Sequence, residues 1–179
     1  MREKEEQAIV IDYLPYGYPL EKKMMPIAHA VGKKNFTLLE LVPRRGIKLE
    51  TGEEVYIGEG KRDKVYYILG KLPFDKISES AKNLLQEYIE KQIGENEKHF
   101  VEFFNNAQPI NTRLHQLELL PGFGSKHTKA ILDERTKKTF ESFEELKQRI
   151  GNLPDPKVAI VKRILEELKG EERHLLFVS

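Results

Sequence analysis

Between positions 120 and 132 the chain reads Leu120-Pro121-Gly122-Phe123-Gly124-Ser125-Lys126-His127-Thr128-Lys129-Ala130-Ile131-Leu132. Two glycines flank one apolar residue, a proline precedes them, and a helix-compatible stretch follows with Ser125 near its N-cap. Glycine reaches the backbone angles that a tight turn requires and has no Cβ to hold a ligand off. The first amides of the helix behind it have no partner within the helix and lie at the positive end of its dipole. A bend of this kind can bind an anion, and Lys126 and Lys129 can add charge-assisted contacts. Phe123 is expected to plug inward and fix the turn. The same residues would also serve as a plain connector between two helices. The Leu-Pro before the glycines, the Lys after them and the flanking helices favour the anion-binding reading.

The segment resembles the helix-hairpin-helix motif of DNA- and RNA-handling proteins, in which hairpin amides hold backbone phosphate without reading sequence. The resemblance carries over to Gly122, Gly124 and Lys126, with amides from 122 through 126. One departure stands at Thr128, where the family often has Ala; looser helix packing is expected there. A second helix–turn–helix follows, with helices over 143–150 and 157–168 around a turn at 151–156. Two such units are expected to pack as a pair, because one buries too little core alone. In the second turn Pro154 and Pro156 lack an N–H and Asp155 would repel phosphate, so that turn is expected to be structural. Lys157, Lys162 and Arg163 are expected mostly on a solvated face.

The elements that must position these groups follow from hydrophobic periodicity. Short apolar runs at 8–14, 27–31, 36–42, 47–49, 55–57 and 65–69 are broken by Gly, Pro and charged turns, as in a small barrel or sandwich. From about residue 76 the period changes. Ile77, Ala81, Leu84, Leu85, Tyr88, Ile89 and Ile93 recur at three and four, with Ser78 or Ser80 as cap and Gly94 as an interruption. Further helices are expected near 112–119, 125–135, 142–150 and 156–169. The tail from Arg173 reads as an extra strand or a frayed end. The expected architecture is α+β: an OB-like or S1-like β-barrel over 1–75, a helical connector over 76–110, an all-α tandem helix-hairpin-helix region over 111–170, and a tail over 171–179.

Small barrels of that kind bind single strands by stacking bases on exposed rings within a basic groove. Candidate rings are Tyr13, Tyr16, Tyr18, Phe36, Tyr56, Tyr66 and Tyr67. Most aromatic rings in a small barrel are core; Tyr16 and Tyr18, set among Gly and Pro, are the ones expected at the surface. Candidate charges are Lys22, Lys23, Lys33, Lys34 and Lys64, with Arg44, Arg45, Lys61 and Arg62 as expected nucleic-acid contacts. The whole chain has a formal net charge of only +1, from 30 basic and 29 acidic side chains. Attraction for a polyanion must therefore come from local arrangement.

Cysteine is absent, which excludes disulfides and thiolate metal sites. Histidines at 29, 99, 115, 127 and 174 form no spaced pair on one helix face, so no zinc site is expected. No nuclease-like carboxylate cluster, phosphate-binding Gly-rich loop or nucleophile elbow is present. No catalytic residue and no cofactor are therefore expected. No apolar run approaches the ~20 residues of a membrane span, and the charged residues 1–6 lack a signal-peptide core, so a cytoplasmic protein is expected. Taken with the order of parts, Ile11-Asp12-Tyr13-Leu14-Pro15-Tyr16-Gly17 and Phe103-Phe104-Asn105-Asn106-Ala107 resemble a family of small archaeal proteins, the domain of unknown function numbered 655, over nearly the whole chain. That resemblance implies nucleic-acid binding through an OB-like fold and no established activity. The expected function is non-enzymatic, sequence-nonspecific binding of DNA or RNA. The alternative is a docking or dimerisation module with a protein partner.

Overall fold

The computed structural model describes residues 3–22 and 24–179. Lys23, one of the candidate charges, lies outside the described residues, as do Met1 and Arg2. The chain forms two compact units: residues up to Glu87 together with Glu166–Ser179, and Tyr88–Leu165.

The first unit is built on strands β1 (Gln7–Leu14), β2 (Ile27–Gly32), β3 (Leu38–Pro43), β4 (Glu54–Tyr56) and β5 (Val65–Lys71), in the order β4-β1-β2-β3-β5. Every pairing is antiparallel. Alternation puts Ala8, Val10, Ala28, Ala30, Leu39 and Leu41 on one face, where they form a core with Leu49, Val55, Ile57 and Val65. The sheet curls into a half-barrel, and among the described residues no ladder joins β4 to β5. The pairings explain why. β4 and β5 run in the same direction, and the 57–64 segment is too short for the crossover of about a dozen residues that parallel neighbours need. The apolar run at 47–49 is not a strand. Leu49 is buried and Ile47 packs against the core without pairing.

Bulges shape this sheet. The β1–β2 register passes from Val10–Ala30 to Asp12–His29, leaving Ile11 extra. The β3–β5 register skips Leu69 and Tyr66 in β5. Each extra residue bends its strand and re-aims the side chains beyond it. Next comes helix α1 (Glu79–Glu95), which runs through Gly94 instead of stopping there. Its first turn is capped by Ser78, whose Oγ accepts from the Ala81 amide at 3.2 Å. The C-terminal tail is neither a strand nor frayed. One oxygen of the buried Glu167 carboxylate accepts from the amides of Leu176, Phe177 and Val178 at 2.9, 2.9 and 3.1 Å.

The second unit holds α2 (Glu97–Asn106), α3 (Ser125–Lys137), α4 (Phe143–Arg149) and most of α5 (Pro156–Leu168). The helix expected over 112–119 is a single 3-10 turn, Gln116–Leu119. Upstream of it the Asn111 side chain takes the amides of Arg113 and Leu114, at 2.8 and 2.9 Å, into a local turn that competes with helix. Phe104 is fully buried and its ring meets those of Phe103, Phe123 and Phe143. Arg135 donates to the Phe104 and Ala107 carbonyls at 3.1 and 2.9 Å, closing the C-terminal end of α2. Arg149 does the same for α3, donating to the carbonyls of Glu134 and Lys138 at 2.6 and 2.7 Å. It also pairs with Glu145 at 3.0 Å and lies 4.3 Å from the Phe140 ring centre.

Arg149→Ala should lower stability by about 2 kcal/mol, since charged hydrogen bonds are worth roughly 1.5–3 kcal/mol each and the carbonyls left behind regain water. Arg149→Lys should recover little, because an ammonium cannot span two carbonyls and a ring at once. Urea unfolding of the three proteins side by side measures both effects.

Candidate functional site

Leu120 and Phe123 are buried while Gly122, Gly124, Ser125 and Lys126 are exposed. Gly122 adopts φ +84°, a left-handed conformation, and a Cβ there would come within 3.2 Å of Pro154 Cγ. The left-handed φ favours glycine at this position, and a Cβ would also make Pro154 give by a few tenths of an ångström. Gly124 differs. Its φ of −108° and ψ of −172° are ordinary extended values, and a Cβ there would meet nothing within 4 Å. The bend thus needs one conformational glycine, and the second serves as the N-cap of α3. Phe123 plugs inward, its ring 6.0 Å from Phe104 and 5.9 Å from His127.

The first amides of α3 follow from this geometry. The Thr128 amide and hydroxyl both donate to the Gly124 carbonyl at 3.0 Å, so Thr128 is buried with these polar atoms satisfied. The amides of Ser125, Lys126 and His127 have no hydrogen-bond partner among the described residues. No acidic side chain stands in that first turn, whereas Lys126 and Lys129 are exposed beside it. His127 takes the Gly124 amide on Nδ1 at 3.3 Å, so its Nε2–H donates to the Asn152 carbonyl at 3.1 Å. One imidazole therefore ties the first bend to the second.

The second turn has the same plan with its anion built in. Asp155 Oδ1 accepts from the Lys157 and Val158 amides at 2.9 and 3.4 Å, occupying the N-terminus of α5 with the chain's own carboxylate. Arg163 departs from its expected solvated face. It is buried, and its Nη1 lies 3.4 Å from the Leu119 carbonyl, just before the first bend.

In the first unit the expected contacts separate. Tyr16 is exposed, but Tyr18 is half-buried. Arg44 Nε donates to the Arg62 carbonyl at 2.6 Å and Arg62 Nε to the Gly58 carbonyl at 2.8 Å, while Arg45 and Lys61 are exposed without partners among the described residues. A groove of about 1440 Å³ opens between the β4 and β5 edges, lined by five cationic and four acidic side chains. Charges so nearly matched make it a poor polyanion site.

Tyr18 leads to a cluster that sequence reasoning missed. The β1 bulge sets Asp12 opposite His29, and His29 lies opposite Glu40 in β3. His29 and Glu40 are buried. The Tyr18 hydroxyl donates to Glu40 Oε2 at 2.9 Å and lies 2.8 Å from His29 Nε2. A hydroxyl has one hydrogen, so Nε2–H must be the donor to Tyr18 and Nδ1 is a bare lone pair, buried with no partner among the described residues. Lys76 Nζ sits 4.8 Å over the Tyr18 ring and 3.7 Å from Glu40, and Ser78 Oγ donates to Asp12 at 3.2 Å. Burial and the Glu40 hydrogen bond push the Tyr18 phenol well above its ordinary range. Burial also pushes the His29 imidazole down, against the upward pull of Asp12 and Glu40. His29 and Glu40 form its buried part, and through Tyr18 the network holds the β1–β2 connection to the sheet. Its members are far apart in sequence and share no motif; a buried-strand pattern holding His29 and Glu40 was the one available signal.

Among the described residues no group of three or more His, Cys, Asp or Glu is placed to hold a metal, and no helix is long and apolar enough to cross a membrane. The chain belongs to the DUF655 family, described as a protein of unknown function, whose family model matches residues 4–179. It is 42% identical over 177 residues to an uncharacterized protein of Methanocaldococcus jannaschii, covering 98% of this chain and 80% of that one. It is also similar to the crystal structure of a DUF655 protein from Archaeoglobus fulgidus, with a TM-score of 0.83, 43% identity, and coverage of 98% of this chain and 100% of that one.

Because the fold favours neutral His29, its contribution to stability is complete above the ordinary imidazole value of 6.5 and is lost as pH falls below it. His115, also pushed down by burial, acts with the same sign. The urea midpoint should therefore fall between about pH 7 and pH 5. In His29→Gln, whose amide can still donate to Tyr18, that fall should be smaller though not abolished.

Proposed function

We propose that this DUF655 protein is a non-enzymatic nucleic-acid-binding protein that grips the backbone of DNA or RNA, without sequence preference, through a helix-hairpin-helix bend at residues 121–126. The observation that carries this reading is the set of three amides of Ser125, Lys126 and His127, without partners among the described residues, at the head of a 13-residue helix behind a left-handed glycine. A phosphate oxygen in that position meets converging N–H donors at the positive end of a helix dipole. Lys126 and Lys129 supply the counter-charge. The second bend supports the reading from within the molecule: the equivalent donors of α5 hold a carboxylate, that of Asp155. The two bends are read together as a tandem pair, one open to a ligand and one closed by its own side chain. The curled sheet of the first unit is read with them as an OB-like element for strand binding.

Gly124→Val is the cleanest test, since its side chain enters open space at an ordinary backbone conformation and obstructs only what approaches from outside. It should lower the thermal midpoint only slightly, because valine is a poorer N-cap than glycine, and weaken duplex binding by at least about tenfold in an anisotropy titration. Lys126→Ala should cost less, act alike on all sequences, and reduce the salt slope by about 0.9. Wild-type affinity in Gly124→Val removes the bend from the mechanism. Binding to a protein partner that scarcely responds to salt would favour the docking role instead.

A further inference from the structure

The sequence points to Tyr16 and Tyr18 as stacking rings, but the geometry points elsewhere in the same unit. β5 is an edge strand, and its bulges leave Tyr66 and Leu69 out of register with β3. Tyr66 is itself a bulged residue and is 63% exposed; Tyr67 beside it is 36% exposed. Their rings meet edge to face with centroids 5.3 Å apart, and the Tyr67 hydroxyl donates to Met25 Sδ at 3.8 Å. Tyr66 thus offers its ring to solvent at the sheet edge, and Tyr67 braces it edge to face.

Cations gather at the same end of the β3–β5 ladder. Pro43 pairs with Val65, and the Arg44 amide donates to the Lys64 carbonyl at 2.8 Å. Arg44 and Arg62 each spend Nε on a neighbouring carbonyl, which fixes the loops and leaves their terminal guanidinium nitrogens without partners among the described residues. Arg45 and Lys61 are exposed and unpaired there. Lys64 is taken by Glu53, and Asp63 is the acid within the 61–64 run. A bulged edge is a poor template for a further strand, so the recognition features here are rings and charges rather than main-chain donors.

We infer that this end of β5 is a single-stranded nucleic-acid site, in which a base stacks on Tyr66, held in place by Tyr67, while the flanking phosphates meet Arg44, Arg45 and Lys61. Every base has a π-face, so such a platform tolerates any sequence and requires unpaired bases. The inference rests on the nucleic-acid reading given above and adds to it a strand state and a second site. A duplex, whose bases are already stacked, cannot use the platform.

The test uses the full chain with labelled oligo(dT) and oligo(U) of about 12 nucleotides and a duplex of equal length. Tyr66→Ala combined with Tyr67→Ala should weaken both single strands by at least about tenfold and leave the duplex unaffected. Tyr66→Phe with Tyr67→Phe should bind as wild type, since stacking needs the ring and not the hydroxyl. Arg44→Ala with Arg45→Ala should weaken single-strand binding and make its salt dependence shallower. The dT and U arms separate DNA from RNA. Wild-type single-strand affinity in the Tyr-to-Ala pair overturns the inference. So does a loss of self-association in that pair, measured by sedimentation, without loss of oligonucleotide binding. A failure of Gly124→Val to alter duplex binding overturns the bend and leaves this site standing.

Discussion

Phe123 must be inside the helical unit, and the exposed face of the bend follows from that. Its ring packs between Phe104 and His127, so the residues on either side have to reverse direction within one turn. The left-handed Gly122 makes that reversal under Pro154. Once it is made, Gly124, Ser125 and Lys126 at the head of α3 are exposed. Burial of a ring and presentation of donors are two sides of a single backbone path, and neither could change without the other.

The two bends of this unit show how one geometry takes different roles. In both, a turn feeds the N-terminus of a helix whose first donors need an acceptor. Asp155 provides one in the second bend. In the first, the N-cap is glycine, and it supplies no side-chain oxygen for the orphan amides. His127 takes only the Gly124 amide, and through Asn152 it fixes one bend against the other. With glycine at the N-cap in place of Ser, Thr, Asn or Asp, this helix end gives up roughly a few tenths of a kcal/mol. A ligand that satisfies those donors would recover it.

Irregularity does comparable work in the sheet. The bulge at Ile11 brings Asp12 beside His29, where a regular strand would have put an isoleucine. The bulges in β5 turn Tyr66 outward and break the edge. Glu40 reaches Tyr18 across β3, and through it the β1–β2 connection is held to the sheet. The Nδ1 of His29 is buried without a partner among the described residues, and burial opposes the charge that protonation would place there, which is how His29 influences stability at low pH.

The bend at 121–124, the inward Phe123, the prolines and carboxylate that set the second turn apart from the first and the mixed α+β character were all legible in the residues themselves. Each depends on local chemistry: φ freedom at Gly122, a missing N–H at Pro154 and Pro156, a carboxylate at Asp155, and a change of hydrophobic period near residue 76. Non-local geometry decided the rest. The sheet stays open because strand directions, not strand count, govern which edges can meet. The run at 47–49 packs without pairing, Arg163 is drawn into the interior, and a side-chain turn at Asn111 displaces the expected helix. Asp12, His29 and Glu40 become neighbours only through register and one bulge. Sequence periodicity reports which face a residue prefers; it carries no record of which distant strand lies alongside, and that is the reason the polar network, and the bulge that sets Tyr66 apart from the other candidate rings, became visible only in three dimensions.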